Sequence, residues 1–218
     1  MGKLIVIEGL DGCGKSTQLE LLKEKMDAHF ISFPYYDTDS GKMISAYLRG
    51  DYNEPDPSVS AYSASIMYAA DRYTSYRTHW KALYDSDKPV ISARYVSSNA
   101  IYQMTKLPET EWDSYLEWLC DLEYVKLGMP KPDLTILLDM PAAVSDTLLM
   151  KRYNGDDSKR DIHERDHLFQ DLCRRAAYYT ADKFGWQMIN CCDPYNELRS
   201  KSDINSDICA CIRTNMNK

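Results

Sequence analysis

Gly9-Leu10-Asp11-Gly12-Cys13-Gly14-Lys15-Ser16 follows the apolar run Leu-Ile-Val-Ile at 4–7 and opens a helical pattern in which Leu19, Leu22 and Met26 recur at i, i+3 and i+7. The stretch fits GxxxxGK[ST] in the strand–loop–helix setting that the motif requires. Glycines let the chain turn tightly and bring several backbone N–H groups to phosphate oxygens, and the helix start adds partial positive charge. Lys15 supplies a mobile cation for β- and γ-phosphates. Ser16 supplies a hydroxyl for Mg²⁺, which takes oxygen ligands and keeps several waters. A nucleoside triphosphate site is therefore expected on Gly9, Leu10, Asp11, Gly12, Cys13, Gly14, Lys15, Ser16 and Thr17.

Outward from this loop, short apolar runs recur at 30–33, 90–92, 134–139 and 187–189. Near-continuous apolar runs suit strands buried on both faces of a parallel sheet. The segments between them are too long for hairpins and read as crossover helices; 61–84 and 112–127 carry helical spacing with many aromatics. The alternation predicts a three-layer α/β fold with a five-stranded parallel sheet flanked by helices. Neither a repeat nor a linker interrupts it, so residues 1–218 are expected to form a single domain.

Composition narrows the class further. Of 218 residues, 44% are hydrophobic and 27% charged, values that exclude disorder, collagen and coiled coil. The net charge of −7 argues against a broad nucleic-acid surface. No apolar run is long enough to cross a bilayer, and the start of the chain lacks a leader pattern, which makes the cytoplasm the expected location. Seven cysteines without zinc-type spacing read as reduced thiols. His163 and His167 stand i, i+4 with no third ligand suggested.

A phosphate loop by itself does not choose among kinase, GTPase and motor. The base-reading NKxD of GTPases is absent. Asp139 ends a predicted strand, either as a second carboxylate on the Mg²⁺ side or as a plain strand terminus.

From the loop to about Trp186, the chain resembles thymidylate kinases. Asp11-Gly12-Cys13-Gly14-Lys15-Ser16-Thr17 is similar to the DxxGKST of that family, whose aspartate contacts the acceptor sugar hydroxyl. Phe33-Pro34 resembles the FP element beside the acceptor phosphate, with Tyr36 where many relatives carry a phosphate-binding arginine. Tyr68-Ala69-Ala70-Asp71-Arg72 is similar to the helix whose aromatic ring stacks on thymine and whose arginine bonds a base carbonyl. Ser92 to Tyr102 resembles the DRY segment. There Arg94 would fork onto the phosphate under attack, Ser98 and Asn99 fall on the acceptor side, and Tyr102 would crowd a 2′-hydroxyl. Ala93 stands where relatives carry an aspartate. Residues 151–166 resemble the lid, and Gly12 paired with Arg160 suggests that the lid supplies the catalytic cation.

The resemblance implies a P-loop kinase that moves the γ-phosphoryl of ATP, with Mg²⁺, onto dTMP to give dTDP. It implies a homodimer, with no nucleic acid or membrane as partner. Lys15, Arg94 and Arg160 would be catalytic; Asp11, Phe33, Tyr68, Arg72, Arg94, Ser98, Asn99 and Tyr102 would hold the acceptor; Ser16 would meet the metal. Tyr36 and Ala93 keep two rivals open: a kinase for another deoxynucleotide or nucleoside, and a non-catalytic nucleotide-binding protein. Phe33, Tyr68 and Tyr102 also have a plain reading as core aromatics, and Arg72 and Arg94 as partners of surface acids.

Overall fold

The computed structural model describes residues 2–52, 59–156 and 167–216. Arg160, His163 and the predicted lid beyond residue 156 lie outside the described residues. Five parallel strands form one sheet in the order β2-β3-β1-β4-β5. They are β1 (Leu4–Glu8), β2 (His29–Ser32), β3 (Val90–Ala93), β4 (Leu134–Asp139) and β5 (Gln187–Asn190). The register sets Ile7 beside Ala93 on one side and Ile136 on the other, so β1 is central. Its five residues are all buried, as are the four of β3 and the first five of β4. The apolar runs account for these three strands. They misstate β2 and β5, which are edge strands with half-exposed residues; an edge strand has a neighbour on only one side and tolerates polar positions.

Parallel neighbours need crossovers, and helices supply them. In chain order these are α1 (Lys15–Lys23), α2 (Asp39–Arg49), α3 (Ala61–Ser75), α4 (Lys81–Tyr84), α5 (Ser97–Tyr102), α6 (Trp112–Cys120), α7 (Ala142–Arg152), α8 (His167–Phe184) and α9 (Lys201–Met216). The helix expected over 61–84 is broken by a π turn, Tyr76–Trp80, and the one over 112–127 by another, Asp121–Lys126. The first keeps Trp80 inside, where it meets Phe33, Tyr76, Tyr84 and Tyr95 at ring separations of 4.5 to 6.2 Å. Burying aromatics of this size dominates the packing on that side of the sheet. The other side is aliphatic, with α1 and α9 placing Leu19, Leu22, Ile204 and Ile208 against β1 and β4.

Candidate active site

The C-terminal ends of β1, β3 and β4 meet above α1, and a cleft of about 720 Å³ opens there. Such an edge is where an open α/β sheet binds its ligands. The loop from Asp11 to Thr17 lines it. Gly14 stands at the N-cap of α1 with no side-chain cap, so the first-turn N–H groups of α1 face the cleft without a side chain covering them. Gly12 has φ +78, and a Cβ there would meet Ser145 O at 2.7 Å and Leu149 at 2.9 Å on α7. A basic side chain at this position would have to displace α7, which is a local reason for glycine. Lys15 Nζ donates to Gly9 O and Leu10 O at 2.7 Å each and reaches Cys13 Sγ at 3.6 Å, so the loop curls around its own cation.

Arg94, directly after β3, adopts φ +64. That region is sparsely populated by non-glycine residues, and such outliers cluster at functional sites. The conformation is held from both sides: Arg94 N donates to Ile7 O at 3.1 Å, and Arg94 O accepts from Ser92 Oγ at 2.7 Å. It aims the guanidinium over the phosphate loop, where it pairs with Asp11 and lies 5.2 Å from the Tyr102 ring centre. Burial works against the charge, but Tyr102, Asp11 and Glu8 outweigh it and hold Arg94 well above its usual range. Burial also lifts the Tyr102 phenol, which stays neutral at physiological pH. Glu8 is fully buried at the end of β1 and accepts from Tyr95 N, Ser97 Oγ and Ser98 Oγ at 2.7 to 3.0 Å. Its oxygens are committed to the turn that carries Arg94.

On the other flank the cleft is lined by Phe33, Tyr36, Tyr68, Arg72, Ser98, Asn99 and Tyr102. The structure thus brings together every acceptor-side residue singled out in the sequence. Phe33 serves the core as well, stacking edge-on against Tyr35 and Trp80. Tyr68 is braced by Tyr47, whose ring stands at 90° to it. Asn99 Nδ2 donates to Ser65 O at 3.3 Å, which leaves Oδ1 as the acceptor end of the amide. Arg72 is paired, but with the buried Glu123 and not with a surface acid. Ala93 also lines the cleft, with its methyl where a carboxylate was expected.

Two groups of residues were missed. Gln103 is buried, lines the cleft and accepts from Tyr47 Oη at 3.4 Å. It falls one helical turn after Asn99, so i, i+4 spacing could have found it. At the opposite end, Leu198, Arg199, Lys201 and Ile204 line the wall beyond the phosphate loop, next to Arg152 and Tyr153 from the start of the expected lid. No motif marks the first four. Asp139 is a correction to its metal-side reading: Tyr178 Oη donates to it at 2.7 Å, Arg174 pairs with it, and it does not line the cleft.

Among the described residues no cluster of three His, Cys, Asp or Glu side chains could hold a metal ion. Ser16 offers an exposed hydroxyl on the cleft wall. One hydroxyl and no carboxylate cage suits Mg²⁺ carried by phosphate oxygens and water.

A parallel sheet in the order 2-3-1-4-5, a phosphate loop after its central strand, and an Arg, Asn and Tyr pocket in the same cleft define a P-loop kinase of the nucleoside monophosphate class. Comparison with known proteins narrows this. The thymidylate kinase family model matches residues 7–201. A thymidylate kinase of Mycobacterium tuberculosis is 33% identical over 190 residues, covering 84% of this chain and 87% of the relative. A probable thymidylate kinase of Thermococcus onnurineus is 34% identical over 215 residues, 95% of this chain and 96% of its own length. A solved structure of thymidylate kinase from Candida albicans shares the fold, with a TM-score of 0.72 at 23% identity over 99% of this chain and 93% of that one. The chain belongs to the thymidylate kinase family.

Proposed function

We propose that this chain transfers the γ-phosphoryl group of ATP to the phosphate of dTMP, giving dTDP and ADP. One observation carries the assignment of the site: the phosphate loop and the Tyr68, Arg72, Asn99 and Tyr102 pocket open into the same cleft, with Arg94 between them. A dTMP phosphate oxygen attacks the γ-phosphorus while the bond to the β–γ bridging oxygen breaks. The protein's part is alignment and charge neutralisation.

Lys15 exchanges Gly9 O and Leu10 O for phosphate oxygens, a swap of neutral acceptors for charged ones that strengthens its hydrogen bonds. Ser16 would hold Mg²⁺, which when bound neutralises the triphosphate as a Lewis acid. Arg94 forks onto the acceptor phosphate, and Asp11 takes the sugar hydroxyl. Tyr68 stacks on the base, Asn99 Oδ1 accepts from its N3–H, and Arg72 donates to its carbonyl. Tyr102 closes the space beside C2′. Arg160, in a lid over 151–166, adds a cation as the site closes and water is excluded.

The chain acts as one domain in this reading, and as a homodimer. Tyr62 and Trp118 stack at 4.7 Å, which sets α3 beside α6, and Ile66, Tyr73 and Val125 are exposed on α3 and the π turn after α6. Ile66 and Tyr73 stand seven residues apart on one side of α3, and paired exposed apolar side chains of this kind support docking of a second copy. All seven cysteines are free, which supports a reducing compartment such as the cytoplasm. No helix among the described residues is long and apolar enough to cross a membrane.

The test is ADP release, coupled to NADH oxidation, with dTMP, dUMP, dGMP and thymidine as acceptors. dTMP should give the highest kcat/KM, and thymidine, which lacks the acceptor phosphate, none. Faster turnover with thymidine, or no acceptor-stimulated release at all, would overturn the reading.

A further inference from the structure

The Arg72 and Glu123 side chains are 2% and 0% exposed and face each other in the core wall behind the acceptor pocket. Arg72 Nε donates to both carboxylate oxygens, at 3.0 and 3.1 Å, and Nη2 donates to Oε1. The fork therefore occupies one edge of the guanidinium. Nη1, on the other edge, donates to Tyr95 O at 3.4 Å. Burial alone would weaken the charge on Arg72, but Glu123 outweighs it and raises the guanidinium above its usual range. Glu123 is the buried residue of the π turn Asp121–Lys126. Wide turns of this kind recur at functional sites.

A buried ion pair is a poor device for stability, because desolvating both ions costs about what their attraction returns. Its retention beside a ligand pocket calls for another account. A pyrimidine base is neutral and cannot compensate a buried guanidinium, and a guanidinium without a fixed partner has several orientations open to it. Glu123 does both jobs: it balances the charge and sets the plane of the fork, leaving the outer N–H groups of Arg72 available at the cleft wall. We propose that Glu123 is a positioning residue that sets the choice of acceptor base, favouring a pyrimidine with a carbonyl at C4 over one with an amino group. An amino group there would face the N–H groups of Arg72 donor to donor, and a rigid Arg72 cannot turn away from it. This inference rests on the reading that Arg72 meets the acceptor base.

The test compares dTMP with the monophosphate of 5-methyl-2′-deoxycytidine, which keeps the methyl group and changes C4 and N3. The ratio of kcat/KM values is measured for the wild type, Glu123→Gln, Glu123→Asp and Arg72→Met. In Glu123→Gln the dTMP KM should rise at least about tenfold and the ratio fall at least about tenfold. Its kcat and its KM for ATP should stay within about twofold of wild type, a split that general loosening of the fold would not produce. Glu123→Asp, which keeps the charge with a shorter reach, should fall between the two. If Glu123→Gln does not fold, Glu123→Asp is judged on the same ratio. An unchanged ratio in the folded Glu123 variants, with a collapsed ratio in Arg72→Met, overturns the role of Glu123 and leaves the base contact standing. An unchanged ratio in Arg72→Met overturns the base contact and this inference with it.

Discussion

Arg94 and Asp11 form an ion pair that ties the end of β3 to the phosphate loop across the floor of the cleft. Both ends of the pair are only partly exposed, at 22% and 17% for the side chains. Arg94 reaches Asp11 because its backbone sits in the left-handed region, so the pair depends on a local conformation held by Ile7 O and Ser92 Oγ. The planar fork matters as much as the charge, since it can engage the carboxylate and a phosphate together. Arg94→Lys should therefore lower kcat by at least about 100-fold, or roughly 2.7 kcal/mol in the barrier, with an unchanged melting temperature. Steady-state kinetics and calorimetry check it; a loss below about threefold would remove Arg94 from the phosphate.

Ala93 leaves the cleft one carboxylate short of the expected pattern. Glu8 does not stand in for it, because its oxygens bind Tyr95 N, Ser97 and Ser98, and Asp139 faces α8. Ala93→Asp should raise kcat by about 10- to 1,000-fold, roughly 1.4 to 4 kcal/mol, and lower the Mg²⁺ concentration for half activity. An equal or slower variant would show that the pocket has adapted to the methyl group.

Tyr102 is buried against Arg94 on one face and lies 6.4 Å from the Phe169 ring centre. Its ring cannot swing away from a 2′-hydroxyl. The unmodified protein should prefer dTMP over its ribose analogue by at least about tenfold in kcat/KM, and Tyr102→Ala should narrow the gap. Equal use of both sugars by the wild type contradicts the role.

Alkaline pH should unfold the chain in a defined window. Burial pushes the Cys191 thiol up to about 12 and lifts the phenols of Tyr95, Tyr102, Tyr115 and Tyr124 above their usual range. In the unfolded chain the thiol ionises near about 8.5 and the phenols near about 10. Above these values the folded state holds more protons than the unfolded one, so stability falls as pH rises. Lys106 works the other way below about pH 10, because burial holds it down at about 8 and the unfolded chain keeps its proton longer. Melting temperature should therefore stay nearly flat from pH 7 to about 10 and decline steadily beyond it, as the phenols of the unfolded chain ionise. A flat profile to pH 11 would contradict the burial of these groups.

The parts legible in the sequence are those where chemistry dictates residue types at fixed spacing. The loop from Gly9 to Ser16 could be read because phosphate binding needs glycines, a lysine and a hydroxyl in that order. Tyr68 and Arg72 could be read because one helical turn puts them on the same face. Glu123 could not: it lies 51 residues from Arg72, and it is the buried residue of a π turn that no periodicity announces. The wall formed by Leu198, Arg199 and Ile204 could not be read either, since a cleft lined by mixed side chains from a loop and a helix start leaves no pattern. Edge position leaves β2 and β5 more exposed than their apolar runs suggest.

In the proposed reading this cleft brings ATP and dTMP together. The most direct measurement is product identification: the protein is incubated with ATP, Mg²⁺ and dTMP, and the nucleotides are separated by anion-exchange chromatography. dTDP and ADP should form in equal amounts, at a rate reduced at least about 100-fold in a Lys15→Ala variant that melts like the wild type. ADP without dTDP, or a Lys15→Ala rate above about a tenth of wild type, a barrier change under roughly 1.4 kcal/mol, would contradict it.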